Sequence, residues 1–168
     1  MPNRLRVLMI VIAALGGSCG SGDADSVSGP PVEPIRVGIL HSQTGPLAIS
    51  ETAVIESTIL AIEDVNARGG VLGRPLQPLI VDGSSDEVIF AREARRLLER
   101  EQVPVVFGCW TSASRKAVKP IFEEYDGLLF YPVQYEGLED SPNIVYVGSC
   151  PNQQILPAVD WAMDGPLE

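Results

Sequence analysis

The sequence predicts an α/β fold built on a doubly wound parallel sheet. Short apolar runs rich in β-branched residues alternate with longer stretches of helical spacing, and the loops between them are short. The apolar runs lack the polar alternation of half-exposed strands, which indicates strands covered on both faces. Because strands joined through helices form right-handed crossovers, the helices are expected on both faces of the sheet.

Five apolar runs are predicted to be strands, since each ends in residues typical of turns. They are residues 35–41, 76–81, 103–108, 127–131 and 143–147. Pro78 lies near the start of the second run and is expected to interrupt it, because proline has no N–H to donate to a neighbouring strand.

Four stretches with helical spacing of apolar residues alternate with these strands. They are residues 50–68, 88–101, 112–124 and 152–163. Ser50 is expected to cap the first helix, and either Thr111 or Ser112 to cap the third. Pro120 is expected to kink or end the third helix, because a proline ring clashes with the preceding helical turn.

The composition limits the function. A chain of 168 residues can form one domain with a real core, but hardly two. Its formal net charge of −10 and the absence of clustered lysine and arginine argue against binding nucleic acid.

The first 19 residues are predicted to be a signal peptide. Arg4 and Arg6 precede an apolar segment at 7–15, which is shorter than the roughly 20 residues that span a bilayer. Small residues then lead to Cys19, a pattern that resembles the processing site of a bacterial lipoprotein, with ordinary cleavage as the alternative. Residues 20–34 are rich in Gly, Ser, Asp and Pro and are expected to form a flexible tether.

Aromatic and hydroxyl residues follow two predicted strands that are neighbours along the chain. Cys109-Trp110-Thr111-Ser112 follows the third strand, and the segment 131–136 follows the fourth. Ligands of open α/β sheets bind beyond the carboxyl ends of the strands. These residues therefore predict a pocket for a small molecule, and they include no obvious catalytic group.

The segment 36–163 resembles the first lobe of type I periplasmic substrate-binding proteins, a Rossmann- or flavodoxin-like lobe. It is most similar to urea and short-chain amide binders of ABC transporters and to the related amide-sensing regulator of aliphatic amidase expression. The segments that carry the resemblance are VGILHSQTGPLAISE, AIEDVNARGGVLGRPL, FGCWTSASRKAV, FYPVQYEG, SPNIVYVG and PNQQILPAVDW. The second of these segments contains Gly-Gly followed by Leu-Gly-Arg, a pattern that is shared with branched-chain amino-acid binders.

The resemblance implies a protein outside the cytoplasm that delivers a small neutral solute to an ABC permease of the inner membrane. Contact with the membrane is then expected only through the lipid on Cys19. Family members have two lobes of comparable size that close around the ligand. Residues 35–168 are therefore expected to be a truncated first lobe that binds poorly by itself, and Cys150 and the segment 164–168 depart from the family pattern.

A flat neutral ligand such as urea needs flat walls, a donor for its oxygen and acceptors for its N–H groups. Trp110 and Tyr131 are expected to form the walls, and Ser112 to donate. Glu136 is expected to accept, and Gln134 to do either. The ligand-binding residues expected from the resemblance are Trp110, Ser112, Tyr131, Val133, Gln134 and Glu136. The structural alternatives are a helix cap for Ser112 and a solvated loop for Gln134 and Glu136.

Other polar residues are expected to have structural roles. His41, the single histidine, is interpreted as structural or pocket-lining, because its neighbour Ser42 would point to the opposite face. Asp82 and Asp86 are interpreted as turn residues.

On the third helix, Arg115 and Lys116 are expected to face solvent or to pair with Glu123 or Glu124. No cofactor site is predicted, since Gly69, Gly70 and Gly73 lack the glycine order of a dinucleotide loop.

Once Cys19 is set aside, Cys109 and Cys150 remain. They either form a disulfide or stay as two free thiols, and the second alternative is favoured because nothing in the sequence fixes their distance. A metal site is not expected from two cysteines and one histidine at this spacing.

Three functional alternatives stay open beside the urea or amide binder. The lobe could instead bind branched-chain amino acids, or it could be the sensing domain of an amide-responsive regulator or receptor. An enzyme is the least favoured alternative, because no pairing of a nucleophile with a base is found.

Overall fold

The computed structural model describes residues 32–164 and contains one five-stranded parallel sheet. The strands are β1 (Ile35–His41), β2 (Leu76–Asp82), β3 (Val105–Gly108), β4 (Leu128–Tyr131) and β5 (Ile144–Tyr146). Their order in the sheet is β2-β1-β3-β4-β5, and every neighbouring pair is parallel. The predicted α/β fold with a doubly wound parallel sheet is confirmed.

Four helices connect or follow the strands: α1 (Ala48–Ala67), α2 (Glu87–Arg95), α3 (Ser112–Glu124) and α4 (Pro151–Asp164). A π-helical turn, Arg96–Arg100, extends α2. The capping role predicted for Ser50 is wrong, because α1 begins two residues earlier and its N-cap, Leu47, has no side-chain hydrogen bond. Pro120 does not end α3, which continues to Glu124.

Both faces of the sheet are covered, and they are covered unequally. On one face α1 packs against β1 through a small cluster of buried aliphatic residues, Val37, Ile39, Ile55 and Ile62. On the other face α2 and α3 form the larger core, whose most buried members include Leu40, Phe90, Leu97, Val106, Val118, Phe122 and Leu129. Helix α4 contributes no buried residue.

Strand β2 runs through Pro78 without interruption, so the interruption predicted there is wrong. The strand lies at the edge of the sheet and pairs with β1 only. An edge strand tolerates proline, because the missing N–H removes at most one hydrogen bond from a single ladder.

The strand order places a crevice at the carboxyl ends of β1 and β3. The chain moves from β1 to β2 on one side and then returns to β3 on the other, and such reversals are where open α/β sheets bind ligands. The loops after β1 and β2 are joined here, since the backbone N–H of Ser85 donates to the Ser42 hydroxyl over 2.9 Å.

The predicted signal peptide at 1–19, Cys19 and residues 20–31 of the predicted tether lie outside the described residues, as does the segment 165–168. Residues 32–34, at the end of the predicted tether, have no regular secondary structure. Within residues 32–164, no helix combines the length and the apolar character needed to cross a membrane.

Candidate functional site

A buried arginine organises the carboxyl edge between β3 and β4. Arg115 lies in the first turns of α3 and its side chain is completely buried. Its Nε donates to Glu139 Oε1 over 2.8 Å, and its Nη2 donates to Glu136 Oε2 over 3.1 Å. Its Nη1 donates to the Ser112 hydroxyl over 3.0 Å. One guanidinium therefore joins α3 to the loop between β4 and β5.

Three tyrosine rings complete the surroundings of this guanidinium. Its central carbon lies 4.7 Å from the ring centre of Tyr131, 5.6 Å from that of Tyr135 and 5.9 Å from that of Tyr146. The rings of Tyr135 and Tyr146 are stacked, with their centres 4.4 Å apart. Aromatic faces attract a cation, so the rings offset part of the penalty for burying Arg115.

The solvent-exposed role predicted for Arg115 is wrong, and so is its pairing with Glu123 or Glu124. Arg115 shares the buried face of α3 with Val118 and Phe122, and two carboxylates of the loop after β4 compensate its charge. Glu124 instead pairs with Arg95, and Glu123 lies 3.9 Å from Lys119.

The structure brings three of the predicted ligand-binding residues together around Arg115. Ser112 and Glu136 hydrogen-bond to it, and the Tyr131 ring lies against it. The Tyr131 hydroxyl donates to the backbone carbonyl of Trp110 over 3.0 Å, which ties the loop after β3 to β4.

The predicted ligand-binding residues differ in how much of their surface is exposed to a ligand. Trp110, Ser112 and Val133 are half-buried, whereas Gln134 and Glu136 are exposed. Tyr131 is only 1% exposed and one face of its ring meets Arg115, which leaves little of it for stacking. Contact between a ligand and any of these residues stays a prediction.

The carboxylate of Glu136 stays ionised at any ordinary pH. Hydrogen bonds from the Ser112 hydroxyl, from its own backbone N–H and from Arg115 lower its pKa to about 2. Burial alone would raise the pKa of Glu139, but hydrogen bonds from Arg115 and Tyr146 outweigh burial and lower it. Two carboxylates therefore face one guanidinium, and the cluster carries a net negative charge.

A second buried polar pair lies under the crevice at β1. His41 Nδ1 is 2.8 Å from Glu51 Oε2, both side chains are fully buried, and the backbone N–H of Ser42 donates to the same oxygen over 2.9 Å. Burial would raise the pKa of Glu51, but these hydrogen bonds lower it. The sequence prediction that His41 has a structural or pocket-lining role agrees with this position, whereas Glu51 was not singled out.

Asp82 has the turn role predicted for it, whereas Asp86, also interpreted as a turn residue, is the N-cap of a helix. Asp82 accepts hydrogen bonds from Thr44 and from the backbone N–H groups of Gln43 and Ser84. Asp86 caps α2 by accepting from the N–H groups of Val88 and Ile89.

Thr111 rather than Ser112 caps α3. Its hydroxyl accepts from the Ser114 N–H over 3.0 Å. The free-thiol alternative is also supported, since Cys109 is buried, Cys150 is half-buried and both are free. Burial raises the pKa of Cys109 to about 12.

Two adjoining grooves open beside this cluster. One of about 510 Å³ is lined by Tyr135, Tyr146, residues 147–150 and Gln153. The other, of about 340 Å³, is lined by residues 135–138, by 150–152 and by Leu156. Glu136 faces the second groove, so the negative end of the cluster is open to a solute.

Comparison with known proteins identifies the family. Residues 35–166 match the family model described as a periplasmic binding protein domain. A Leu/Ile/Val-binding protein homolog of Brucella abortus is 30% identical over 118 residues, which are 70% of this chain and 27% of that protein. The corresponding protein of Brucella suis is 32% identical over the same shares.

Solved structures show the same fold. A branched-chain amino acid transporter substrate-binding protein from Streptococcus pneumoniae, crystallised with isoleucine, superposes with a TM-score of 0.73 at 21% identity, covering 79% of this chain and 39% of that one. An ABC transporter substrate-binding protein from Sphaerobacter thermophilus superposes with a TM-score of 0.65 at 25% identity, covering 79% and 37%.

The match is to part of each relative. The chain spans about a quarter of the length of the curated relatives, 27% of each of the two Brucella proteins, and between 37% and 39% of the two solved chains. The family model, in contrast, covers the described sheet and all four helices. The chain belongs to the periplasmic binding protein domain family.

Proposed function

We propose that this chain provides a lobe of an extracytoplasmic solute-binding protein that delivers urea or a short-chain amide to an ABC permease. Membership of the periplasmic binding protein domain family supports solute binding outside the cytoplasm. The relatives are named as binding or substrate-binding proteins, which also favours a binder over an enzyme.

The compensated charge of Arg115 is the observation that favours a neutral ligand. An amino acid presents a carboxylate, and the pocket must offer it a positive charge or several free donors. The guanidinium beside Ser112 already serves Glu136 and Glu139, so its charge is not free for a ligand. Ser112 and Glu136 instead offer a donor and an acceptor, which an uncharged amide can use together.

Capture would require closure of a second lobe over this edge, as the resemblance to two-lobed binders implies. Ser112 begins α3 and Glu136 lies on the loop after β4, both at the carboxyl edge, where such a lobe would approach. One lobe buries only part of a ligand, so the affinity of this chain by itself is expected to be weak.

A branched-chain amino-acid binder is the second candidate. It is favoured by the names of the relatives, two of which are Leu/Ile/Val-binding protein homologs and one of which was crystallised with isoleucine. An amide-sensing domain would use the same edge and differ only in its output.

Titration followed by NMR distinguishes these ligands even when binding is weak. The ¹⁵N-labelled chain is titrated separately with urea, acetamide and L-leucine, and the backbone amide signals of residues 110–112 and 133–137 are followed. Urea or acetamide is expected to shift these signals with saturation, while leucine at equal concentration leaves them unchanged.

Acetate serves as the matched control, because it has the shape of acetamide and carries a negative charge. It is expected to bind more weakly than acetamide, since the cluster is already negative. Saturable shifts with leucine at lower concentration than with either amide would overturn the proposal and support the second candidate.

A further inference from the structure

We propose that Arg115 is a positioning residue, which sets Ser112 as a donor and Glu136 as an acceptor for the C=O and N–H edge of one amide. The inference rests on the proposed function for the ligand class. It adds Arg115, whose side chain is too buried to contact the ligand. Arg115 would act through Ser112 and Glu136, which are less buried.

The first step concerns the loop between β4 and β5, which contains neither helix nor strand. Side chains spaced along one face of α3 hold it. Arg115 binds Glu136 and Glu139, and further along the helix Lys119 Nζ donates to the Asp140 carbonyl over 2.7 Å. The Ser141 hydroxyl donates to Glu123 over 2.7 Å. Among these α3 contacts, those of Arg115 reach the end of the loop that carries Glu136, where the Tyr135 N–H also donates to the Ser149 carbonyl over 3.2 Å.

The second step concerns the direction of the Ser112 hydroxyl. Arg115 Nη1 donates to its oxygen over 3.0 Å, which leaves the Ser112 hydrogen to be donated elsewhere. The same guanidinium donates to Glu136 through Nη2, so it holds Ser112 and Glu136 at once. An amide that reaches both would accept from the Ser112 hydroxyl through its oxygen and donate its N–H to Glu136.

The third step concerns geometry. A guanidinium donates in several fixed directions at once, and Arg115 uses them on Ser112, Glu136 and Glu139. A lysine ammonium carries the same charge but lacks this planar fork. The charge alone therefore does not replace arginine here.

The test compares Arg115→Lys and Arg115→Met with Arg95→Met in the full chain. Arg95 is the control, because it also binds a glutamate and lies over a tyrosine ring, while its partners Glu124 and Tyr125 at the C-terminal end of α3 line neither groove. Far-UV circular dichroism establishes that each variant is folded. Should Arg115→Met not fold, Arg115→Lys carries the test.

Two readouts are measured. The midpoint of the ¹³C carboxyl titration of Glu136 without ligand is expected to rise in both Arg115 variants, since Arg115 contributes to the lowered pKa, and to stay in place in Arg95→Met. The acetamide dissociation constant is expected to rise about tenfold or more in the Arg115 variants, since charge-assisted hydrogen bonds are lost, and to change less than about twofold in Arg95→Met.

The outcomes separate the two proposals. An unchanged Glu136 midpoint or an unchanged acetamide affinity in both folded Arg115 variants would overturn the role of Arg115. A wild-type chain that binds leucine and not acetamide would overturn the proposed ligand, while the ligand-free titration would still decide whether Arg115 positions Glu136.

Discussion

The carboxylate of Asp82 joins the loops that follow β1 and β2. It accepts from the Thr44 hydroxyl over 2.6 Å and from the N–H groups of Gln43 and Ser84, each over 2.7 Å. Burial opposes ionisation, but these hydrogen bonds outweigh it and lower the pKa of Asp82 to about 2. The folded pKa lies below the ordinary value of 3.8, so ionised Asp82 contributes to the free energy of unfolding. This contribution is present above about pH 4 and is lost as the pH falls towards 2.

Asp82→Ala is therefore expected to lower the free energy of unfolding at pH 7 by about 2 kcal/mol, because donors to a charged acceptor lose their partner. Guanidinium chloride denaturation measures the difference, which should shrink at pH 3. Asp86→Asn is the control, since asparagine caps a helix as well as aspartate does. An equal loss at both pH values would contradict this role of ionised Asp82.

The two cysteines of the described region are expected to differ in reactivity. The thiolate is the reactive form, and burial raises the pKa of Cys109 to about 12. Cys150 is half-buried and free. Iodoacetamide at pH 8 should modify Cys150 in the native protein well before Cys109, as peptide mass spectrometry can measure. Equal rates in the native protein, or a Cys109–Cys150 disulfide, would contradict this expectation.

Local residue roles could be predicted and distant ones could not. Thr111, one of the two residues expected to cap α3, does cap it, and the cap and its partner Ser114 lie within three residues. Arg115 finds its carboxylates 21 and 24 residues further along the chain. Nothing in the helical spacing of α3 indicates such partners. Ser112 and Glu136 were therefore predicted from the sequence as part of the candidate site, whereas Arg115, which lies at its centre, was not.

Helix α3 begins with a side-chain cap. Its N-cap, Thr111, has extended backbone angles and accepts from the Ser114 N–H. Thr111→Ala is expected to lower the free energy of unfolding by about 1 kcal/mol, whereas Thr111→Ser keeps the acceptor and should lower it by less than half as much. Thermal or chemical denaturation compares the two. A larger loss in Thr111→Ser would show that the methyl group matters more than the cap.

The end of α2 has a feature that apolar spacing in the sequence could not predict. One helix was predicted at 88–101, and the structure has α2 followed by the π-helical turn Arg96–Arg100. Leu97 and Leu98 are adjacent, and both are buried in the larger core. Apolar spacing identifies a helix here, but it does not reveal a widened turn that brings two consecutive leucines into one core.

For the whole molecule, the alternation of strands and helices was sufficient to predict the fold class. Under the proposed closure of two lobes, this alternation does not predict the ligand, because such a pocket draws its selectivity from both lobes. The chain covers 39% of the Streptococcus pneumoniae binding protein, so the surfaces that would face this edge belong to other parts of such proteins.

Attachment to the membrane through Cys19 is a prediction about the whole molecule. In a bacterial host the wild-type chain is expected to incorporate an alkyne-labelled palmitate and to sediment with membranes. Cys19→Ser should lose the label and appear in the soluble exported fraction. Cys150→Ser is the control and should keep both properties, while label retained in Cys19→Ser would contradict lipidation at Cys19.

The two outer strands of the sheet have a consequence for self-association. An open sheet presents unpaired backbone groups on its outermost strands, and another copy of the chain can extend it there into an aggregate. Here one outer strand, β2, contains Pro78, and the other, β5, has only three residues, Ile144–Tyr146. A proline in one outer strand and the shortness of the other both disfavour continued strand addition. The sheet is thus protected against fibril-like growth at both of its margins.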